Sequence, residues 1–206
     1  SHFVTVLEPY DTTPFIKQVR KLSVEHDARP SAVGAVAVEM ADGATDILIS
    51  CEERAHVRIG GGIEFYGQIG MIRLVKGQVM LMRMSNATLL AHGDVKLASE
   101  RAAYEGKVVK IDASDPENHL VFLDPPLPPD GDWVGQTIHF ENDLPLDTSY
   151  EIKAVTKDGI STGDITIIQG FKNPKDFAAG YSYLVNPGDG YVVPSHVSLQ
   201  LLETDM

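Results

Sequence analysis

Short apolar runs, rich in β-branched and aromatic residues, recur along the whole chain between clusters of Gly, Asp, Asn and Pro. They are spaced roughly 8–12 residues apart, which is typical of β-sandwiches and barrels and not of strands that alternate with helices. Asp42-Gly43 and Lys76-Gly77 separate neighbouring runs, so they predict hairpins and antiparallel pairing. We therefore expect an all-β chain that forms an antiparallel β-sandwich, Greek-key or jelly-roll-like, with very little helix.

The segment between residues 45 and 91 contains the densest set of predicted strands. Apolar side chains occupy both parities of Gln78–Met84, which predicts a strand buried on both faces. Gly60-Gly61-Gly62 is interpreted as a bend, because no helix pattern follows it as a phosphate-binding loop would require. The predicted strands of this segment are Thr45–Cys51, His56–Ile59, Ile63–Tyr66, Ile69–Val75, Gln78–Met84 and Thr88–Ala91.

A proline-rich run over residues 124–132 is the best internal boundary, because its prolines exclude both helix and central strand. We expect residues 1–125 to form an antiparallel β-sandwich. Residues 126–206 then add further strands, either as a second β subdomain or as the completion of the same sandwich. One short helical turn is predicted over residues 173–180, with Asn173 as its cap and Gly180 as its end.

The charge balance excludes one class of ligand. The chain has 17 Lys and Arg against 29 Asp and Glu, a formal net charge of −12. Nucleic acid and heparin-type polyanions require a basic surface that releases counterions, so neither is an expected ligand. No stretch is long and apolar enough for a membrane span. The single cysteine, Cys51, excludes an intramolecular disulfide and lies in an apolar run, which favours a buried thiol.

Residues that could carry out catalysis are few. The seven histidines are scattered singly, and the spacings of metal sites and of the serine nucleophile elbow are missing. We therefore assign no catalytic residue, no metal ligand and no cofactor. Residues 130–132 and 186–190 could supply oxygen ligands to Ca²⁺, but turn chemistry explains both loops.

Carbohydrate binding relies on aromatic rings that present a flat apolar face to a sugar. Trp133 is the sole tryptophan and follows the proline-rich run, where an exposed platform could lie, although core packing is the alternative. Tyr181 and Tyr183 share one face of a predicted strand, and Tyr191 lies in the next loop. These four residues are the candidate carbohydrate-binding residues.

Two segments resemble a known family. Tyr66-Gly67-Gln68-Ile69-Gly70-Met71-Ile72-Arg73, the turn at Lys76-Gly77 and the run from Val79 to Asp94 resemble the C-terminal β domain of heparinase II/III-like polysaccharide lyases. The opening strand-like run, Phe3 to Tyr10, is similar to the strand by which those proteins leave their central β-sandwich. The resemblance covers residues 3–10 and 35–125 and rests on hairpin motifs.

The resemblance implies a bacterial, extracytoplasmic protein, periplasmic or secreted, whose partners are a polysaccharide and the catalytic domain of the same parent. In that family a Tyr and a His act in a cleft between an α/α toroid and a β-sandwich. These 206 residues contain no toroid pattern, so no family residue is carried over. Because the chain enters a strand-like run at once, we expect it to begin inside a longer protein. Self-association into a homo-oligomer is left open.

Three functions follow as hypotheses. The first is a noncatalytic accessory β domain that supports the catalytic sandwich and substrate cleft of a polysaccharide lyase; it predicts an exposed apolar surface. The second is an independent carbohydrate-binding β-sandwich, which predicts an aromatic platform. The third is a glycan-degrading enzyme in its own right, which predicts a cleft with acid and base groups of shifted pKa.

Overall fold

The structure, a computed structural model, describes residues 4–115, 117–143, 148–163 and 167–201. In these residues the fold is all-β, and every pairing between strands is antiparallel, which confirms the predicted fold class. The one helix among them is the 3-10 turn Phe177–Ala179. None of the described residues forms a helix that could cross a membrane.

The chain forms two compact units. The first consists of Ser1–Ala102 and Ser195–Met206, and the second of Ala103–Pro194. Ala103 lies directly opposite Pro194 in the sheet of the second unit, and the Ser195 amide donates a hydrogen bond to the Ala102 carbonyl (2.8 Å). The chain therefore enters and leaves the second unit at adjacent points.

These unit boundaries differ from the predicted boundary at residue 125. The proline-rich run lies inside the second unit as a loop, and Leu127 within the run and Trp133 directly after it pack into that unit's core. Prolines stop a strand, but only packing determines whether the loop that follows separates two cores or covers one.

The described part of the first unit contains one eight-stranded antiparallel sheet. Its strand order is β1-β3-β4-β5-β6-β17, with β2 paired to β4 and β7 paired to β6. The strands are β1 (Ile16–Lys21), β2 (Val24–His26), β3 (Val33–Met40), β4 (Ala44–Ile59), β5 (Ile63–Val75), β6 (Gln78–His92), β7 (Val95–Ala98) and β17 (His196–Gln200).

Three of these strands are longer than predicted. Six short strands were predicted between residues 45 and 91, and each consecutive pair of them forms one long strand, β4, β5 or β6. The predicted breaks within each pair are register shifts in a continuous strand. Register shifts of this kind bend a strand without ending it. The bend brings the two halves of the sheet over one core, in which the Phe65 ring lies against Gly70.

The described part of the second unit contains a seven-stranded sheet and a two-stranded hairpin. The sheet order is β11-β10-β16-β8-β9-β13-β12, and β14 pairs with β15 apart from it. The strands are β8 (Ala103–Asp112), β9 (His119–Asp124), β10 (Thr137–Glu141), β11 (Ser149–Glu151), β12 (Ala154–Val155), β13 (Gly159–Gly163), β14 (Ile168–Phe171), β15 (Tyr181–Tyr183) and β16 (Gly190–Pro194).

The opening run does not form the expected strand. Residues 4–7 have no strand pairing, and residue 3 lies outside the described residues. The Glu8 carboxylate instead accepts hydrogen bonds from the backbone amides of Phe15 (2.6 Å) and Ile16. The opening segment is therefore tied to the start of β1 by a side chain, not by a ladder of backbone bonds.

Candidate functional site

The hairpin of β14 and β15 is the feature of the second unit most suited to ligand contact. Its base is held by a hydrogen bond from the Leu184 amide to the Ile167 carbonyl (2.8 Å). Ile167 and Val185 beside this bond are fully buried in the core of the unit. We call residues 168–183 the aromatic arm.

Three exposed aromatic rings meet on the arm. Phe171 and Tyr181 are directly opposite each other across the two strands, and their rings stack with centroids 5.1 Å apart and planes 29° apart. The Phe177 ring lies 4.5 Å from that of Phe171 at 42°. Phe171, Phe177 and Tyr181 are 45%, 66% and 43% exposed. Together they form an exposed aromatic patch, which we call the aromatic cluster.

The loop that carries Phe177 is ordered by its own side chains. Asn173 accepts a hydrogen bond from the Lys175 amide (3.0 Å), and Asp176 accepts one from the Ala178 amide (3.1 Å). Gly180, with φ of +82°, ends the 3-10 turn. The predicted turn and its end at Gly180 are confirmed, but the cap is Asp176, because Asn173 is engaged one turn earlier.

Two of the four candidate carbohydrate-binding residues are buried. Trp133 is 5% exposed, donates its indole N–H to the Pro128 carbonyl (2.6 Å) and meets the Tyr104 ring edge-on at 4.6 Å. Tyr191 is 1% exposed, and its hydroxyl donates to the Pro125 carbonyl. Core packing, the alternative stated for Trp133, is therefore what the structure shows, because the loop folds back over this ring.

The other two candidates lie on the aromatic arm. Tyr181 belongs to the aromatic cluster, whereas Tyr183 is half-buried and packs against the core of the unit. Sequence reasoning missed Phe171 and Phe177. A signal was present, because a hairpin around the turn at residues 173–180 places the residues just before and just after the turn, Phe171 and Tyr181 among them, on neighbouring strands, where cross-strand pairs meet. Carbohydrate binding by Tyr181 and by the buried residues stays a prediction.

A second, polar cluster lies in the first unit around a shallow cavity of about 230 Å³. His56 Nε2 is 2.8 Å from a Glu64 carboxylate oxygen, and the Asp27 carboxylate accepts a hydrogen bond from the His56 amide (2.8 Å). The His56 ring also meets Tyr66 edge-on, with centroids 6.1 Å apart. In the described part of the chain no group of three or more His, Cys, Asp or Glu is arranged to hold a metal ion. These contacts are those of a surface ion-pair cluster.

Comparison with known proteins finds no matching family model, no matching curated protein and no matching solved structure. The resemblance to heparinase II/III-like lyases therefore remains an expectation from the hairpin motifs alone.

Three buried groups have a raised pKa, and they do not form an acid/base pair. Burial, with a smaller effect of the Asp27 carboxylate, raises the pKa of Cys51 to about 11. Burial also raises the pKa of Tyr150 and that of Tyr191, the latter with help from the Asp124 carboxylate. All three groups are core side chains, so these shifts are explained by packing and give the enzyme hypothesis no support.

Proposed function

We propose that the chain is a noncatalytic accessory β domain of a polysaccharide lyase of the heparinase II/III-like kind, and that its aromatic arm contacts the glycan. The observation that carries the glycan contact is the aromatic cluster, three exposed rings of which Phe171 contacts the other two, on a hairpin whose base lies in the core. The link to a lyase rests on the hairpin motifs within residues 35–125, since residues 4–7 do not form the strand that the opening run predicted.

The geometry favours sugar as the ligand of the cluster for two physical reasons. Exposed aromatic area is unfavourable in water, and a contiguous patch of it marks an interaction surface. The rings also hold one another in place, so binding requires little further ordering of the side chains. A pyranose offers an apolar C–H face that such rings can cover.

The charge of the arm bears on which glycan it contacts. The arm carries Lys172, Lys175 and Asp176, all exposed, on a chain of net charge −12. Their charged groups can bond sugar hydroxyls at the rim of the aromatic cluster. We infer a neutral or weakly charged glycan, because the overall negative charge repels densely sulfated chains.

The test is binding of the full chain to neutral β-glucan, alginate and heparin, measured by calorimetry at low and moderate salt. We expect measurable β-glucan binding, weakened about three- to tenfold by Phe177→Ala, since one ring contact is worth about 0.5–1.5 kcal/mol. Combined loss of Phe171, Phe177 and Tyr181 should abolish it. Tyr66→Ala, which removes an exposed ring from the first unit, is the matched control.

Three results would contradict the proposal. Equal weakening by Tyr66→Ala and Phe177→Ala would remove the aromatic cluster as the binding element. Heparin binding that is tight at moderate salt would contradict the electrostatic argument, and absence of binding to all three glycans would leave the arm without a sugar-binding role.

A further inference from the structure

The outer face of the sheet of the first unit carries an open groove of about 750 Å³. It crosses β4, β5, β6 and β17 on the side opposite the core, because alternate residues of each strand point to opposite faces. Two rows of cross-strand neighbours line it: Leu48, Met71, Arg83 and Ser198 in one, and Ser50, Ile69, Ser85 and His196 in the other.

The groove is apolar and accessible. Ile69 is 55% exposed, Leu48 is also exposed and Met71 is half-buried, while Val4 and Thr5 add a further wall. Gln78–Met84 is thus not the strand buried on both faces that its pattern predicts, since one face meets the core and the other borders this groove. Aliphatic side chains on an accessible face mark a surface that a partner covers.

Arg83 gives the groove a specific charge. Its neighbours directly across the sheet are Met71 and Ser198, and none of the described residues forms an ion pair with it. Arg73 on the adjacent strand, by contrast, is bound by both carboxylate oxygens of Asp46 at 2.7 Å. In a chain of net charge −12, an arginine that forms no ion pair with the described residues and lies beside aliphatic side chains complements an acidic ligand.

We propose that this groove binds an extended acidic and aliphatic polypeptide segment of a partner domain. Its aliphatic side chains cover Leu48, Ile69 and Met71, and one of its carboxylates pairs with Arg83. The four strands span about 14 Å at roughly 4.8 Å per spacing, a distance that four or five extended residues cover. The described residues that line it include no Phe, Tyr or Trp ring, so a sugar is disfavoured. This site uses other residues than the proposed glycan contact and goes beyond it.

The experiment titrates the full chain, with labelled methyl groups, against two synthetic pentapeptides. One alternates valine with glutamate, and the other alternates valine with lysine. We expect the glutamate peptide to shift the methyl signals of Leu48, Ile69 and Met71 and to bind about three- to fivefold more tightly than the lysine peptide, as one exposed ion pair allows.

Charge reversal provides the decisive variant. Arg83→Glu should reverse the preference between the two peptides, whereas Lys96→Glu on β7, the same charge change outside the groove, should leave it unchanged. An unaltered amide spectrum shows that each variant is folded. Glycan binding measured on the same samples should not change, so failure of the groove and failure of the arm are distinguishable.

Three outcomes would overturn the proposal. The methyl signals could stay unshifted by either peptide at millimolar concentration, or both peptides could bind equally to the wild-type chain. Signals of Ile69 and Met71 that depend on protein concentration without peptide would instead identify a second copy of the chain as the occupant.

Discussion

At the scale of single residues, Gly67 lies at a register shift between β5 and β6. A Cβ atom on Gly67 would lie 2.5 Å from the Ala87 Cα atom and closer still to its Cβ atom. The register shift at Gly67 aligns it with Ala87 on the neighbouring strand. The absence of a side chain therefore allows two backbones to approach at the corner of the sheet.

Gly67→Ala should destabilise the protein by about 3 kcal/mol, the upper range of overpacking costs, because backbone and not a flexible side chain occupies the space. Gly60→Ala is the control, since a Cβ atom there has nothing within 4 Å. Combining Gly67→Ala with Ala87→Gly should recover part of the loss. Urea denaturation measures all three, and equal stability of the two single variants would contradict the role of Gly67.

Cys51 shows how burial sets the chemistry of a group. Its thiol is buried, as predicted, and its pKa of about 11 lies above the ordinary value of 9.0. The thiolate is the reactive form, so the folded protein holds very little of it at neutral pH. We therefore assign Cys51 a packing role.

The stability difference between the wild-type chain and Cys51→Ala should depend on pH above about 9. Below that pH the thiol is protonated in both states, and its contribution is constant. Between about 9 and about 11 the unfolded thiol loses its proton while the folded thiol keeps it, so the wild type should lose about 1–2 kcal/mol relative to the variant. Urea titrations of both proteins across pH 7–11 measure the difference in unfolding free energy. A difference that does not change with pH would refute the prediction.

At the scale of elements, the aromatic arm stands apart from the sheet to which it is attached. Among the described residues its strands β14 and β15 pair with each other and with no other strand, and the Phe171 ring contacts those of Phe177 and Tyr181. Residues 167 and 185 at its base, in contrast, belong to the core. An element of this kind contributes little to the stability of its unit and is free to serve binding.

Replacing residues 169–182 by an Asn-Gly turn between Ile168 and Tyr183 should preserve the fold, because these two residues already face each other across the hairpin. We expect a change in the thermal midpoint of only a few degrees, roughly 1 kcal/mol or less, and complete loss of glucan binding. Differential scanning calorimetry and glucan titration of the same sample measure both. Collapse of the fold would show that the arm is structural.

At the scale of the whole molecule, the second unit is an insertion into the first. Its ends, Ala103 and Pro194, are directly opposite each other in one strand pair. Its core contains side chains from that unit alone, among them Trp133, Phe140 and Tyr191. A unit with its own core and adjacent ends meets the physical requirements for independent folding.

Residues 103–194 expressed alone should fold cooperatively. We expect a dispersed amide spectrum and a single sigmoidal urea transition, with a stability of roughly 5 kcal/mol, the low end for a small domain. The complementary variant lacks the second unit and joins Ala102 to Ser195 through an Asn-Gly turn. A collapsed fragment without fixed side-chain signals would show that the second unit depends on the first.

Local chemistry made part of the fold predictable. Gly43 and Gly77, with φ of +91° and +79°, lie in the hairpin turns that the sequence indicates, because glycine adopts positive φ without steric cost. The long strands were not predictable from the sequence. Gly67 interrupts the apolar pattern and so predicts the end of a strand at Tyr66, but in the structure β5 continues through Gly67 with a register shift. Phe171 and Phe177 were not predicted as binding residues, because the contact between their rings depends on how the loop between them folds.

The sequence by itself determined the all-β class, the antiparallel hairpins, the burial of Cys51 and the acidic surface, because alternation, turn residues and charge act over a few neighbouring positions. Only the tertiary structure decided that Trp133 is buried, that Tyr181 joins two phenylalanines, and that Arg83 lies beside an aliphatic groove with no ion pair to the part of the chain that the structure describes. These features depend on which distant strands become neighbours, and that choice is made by packing of the whole core.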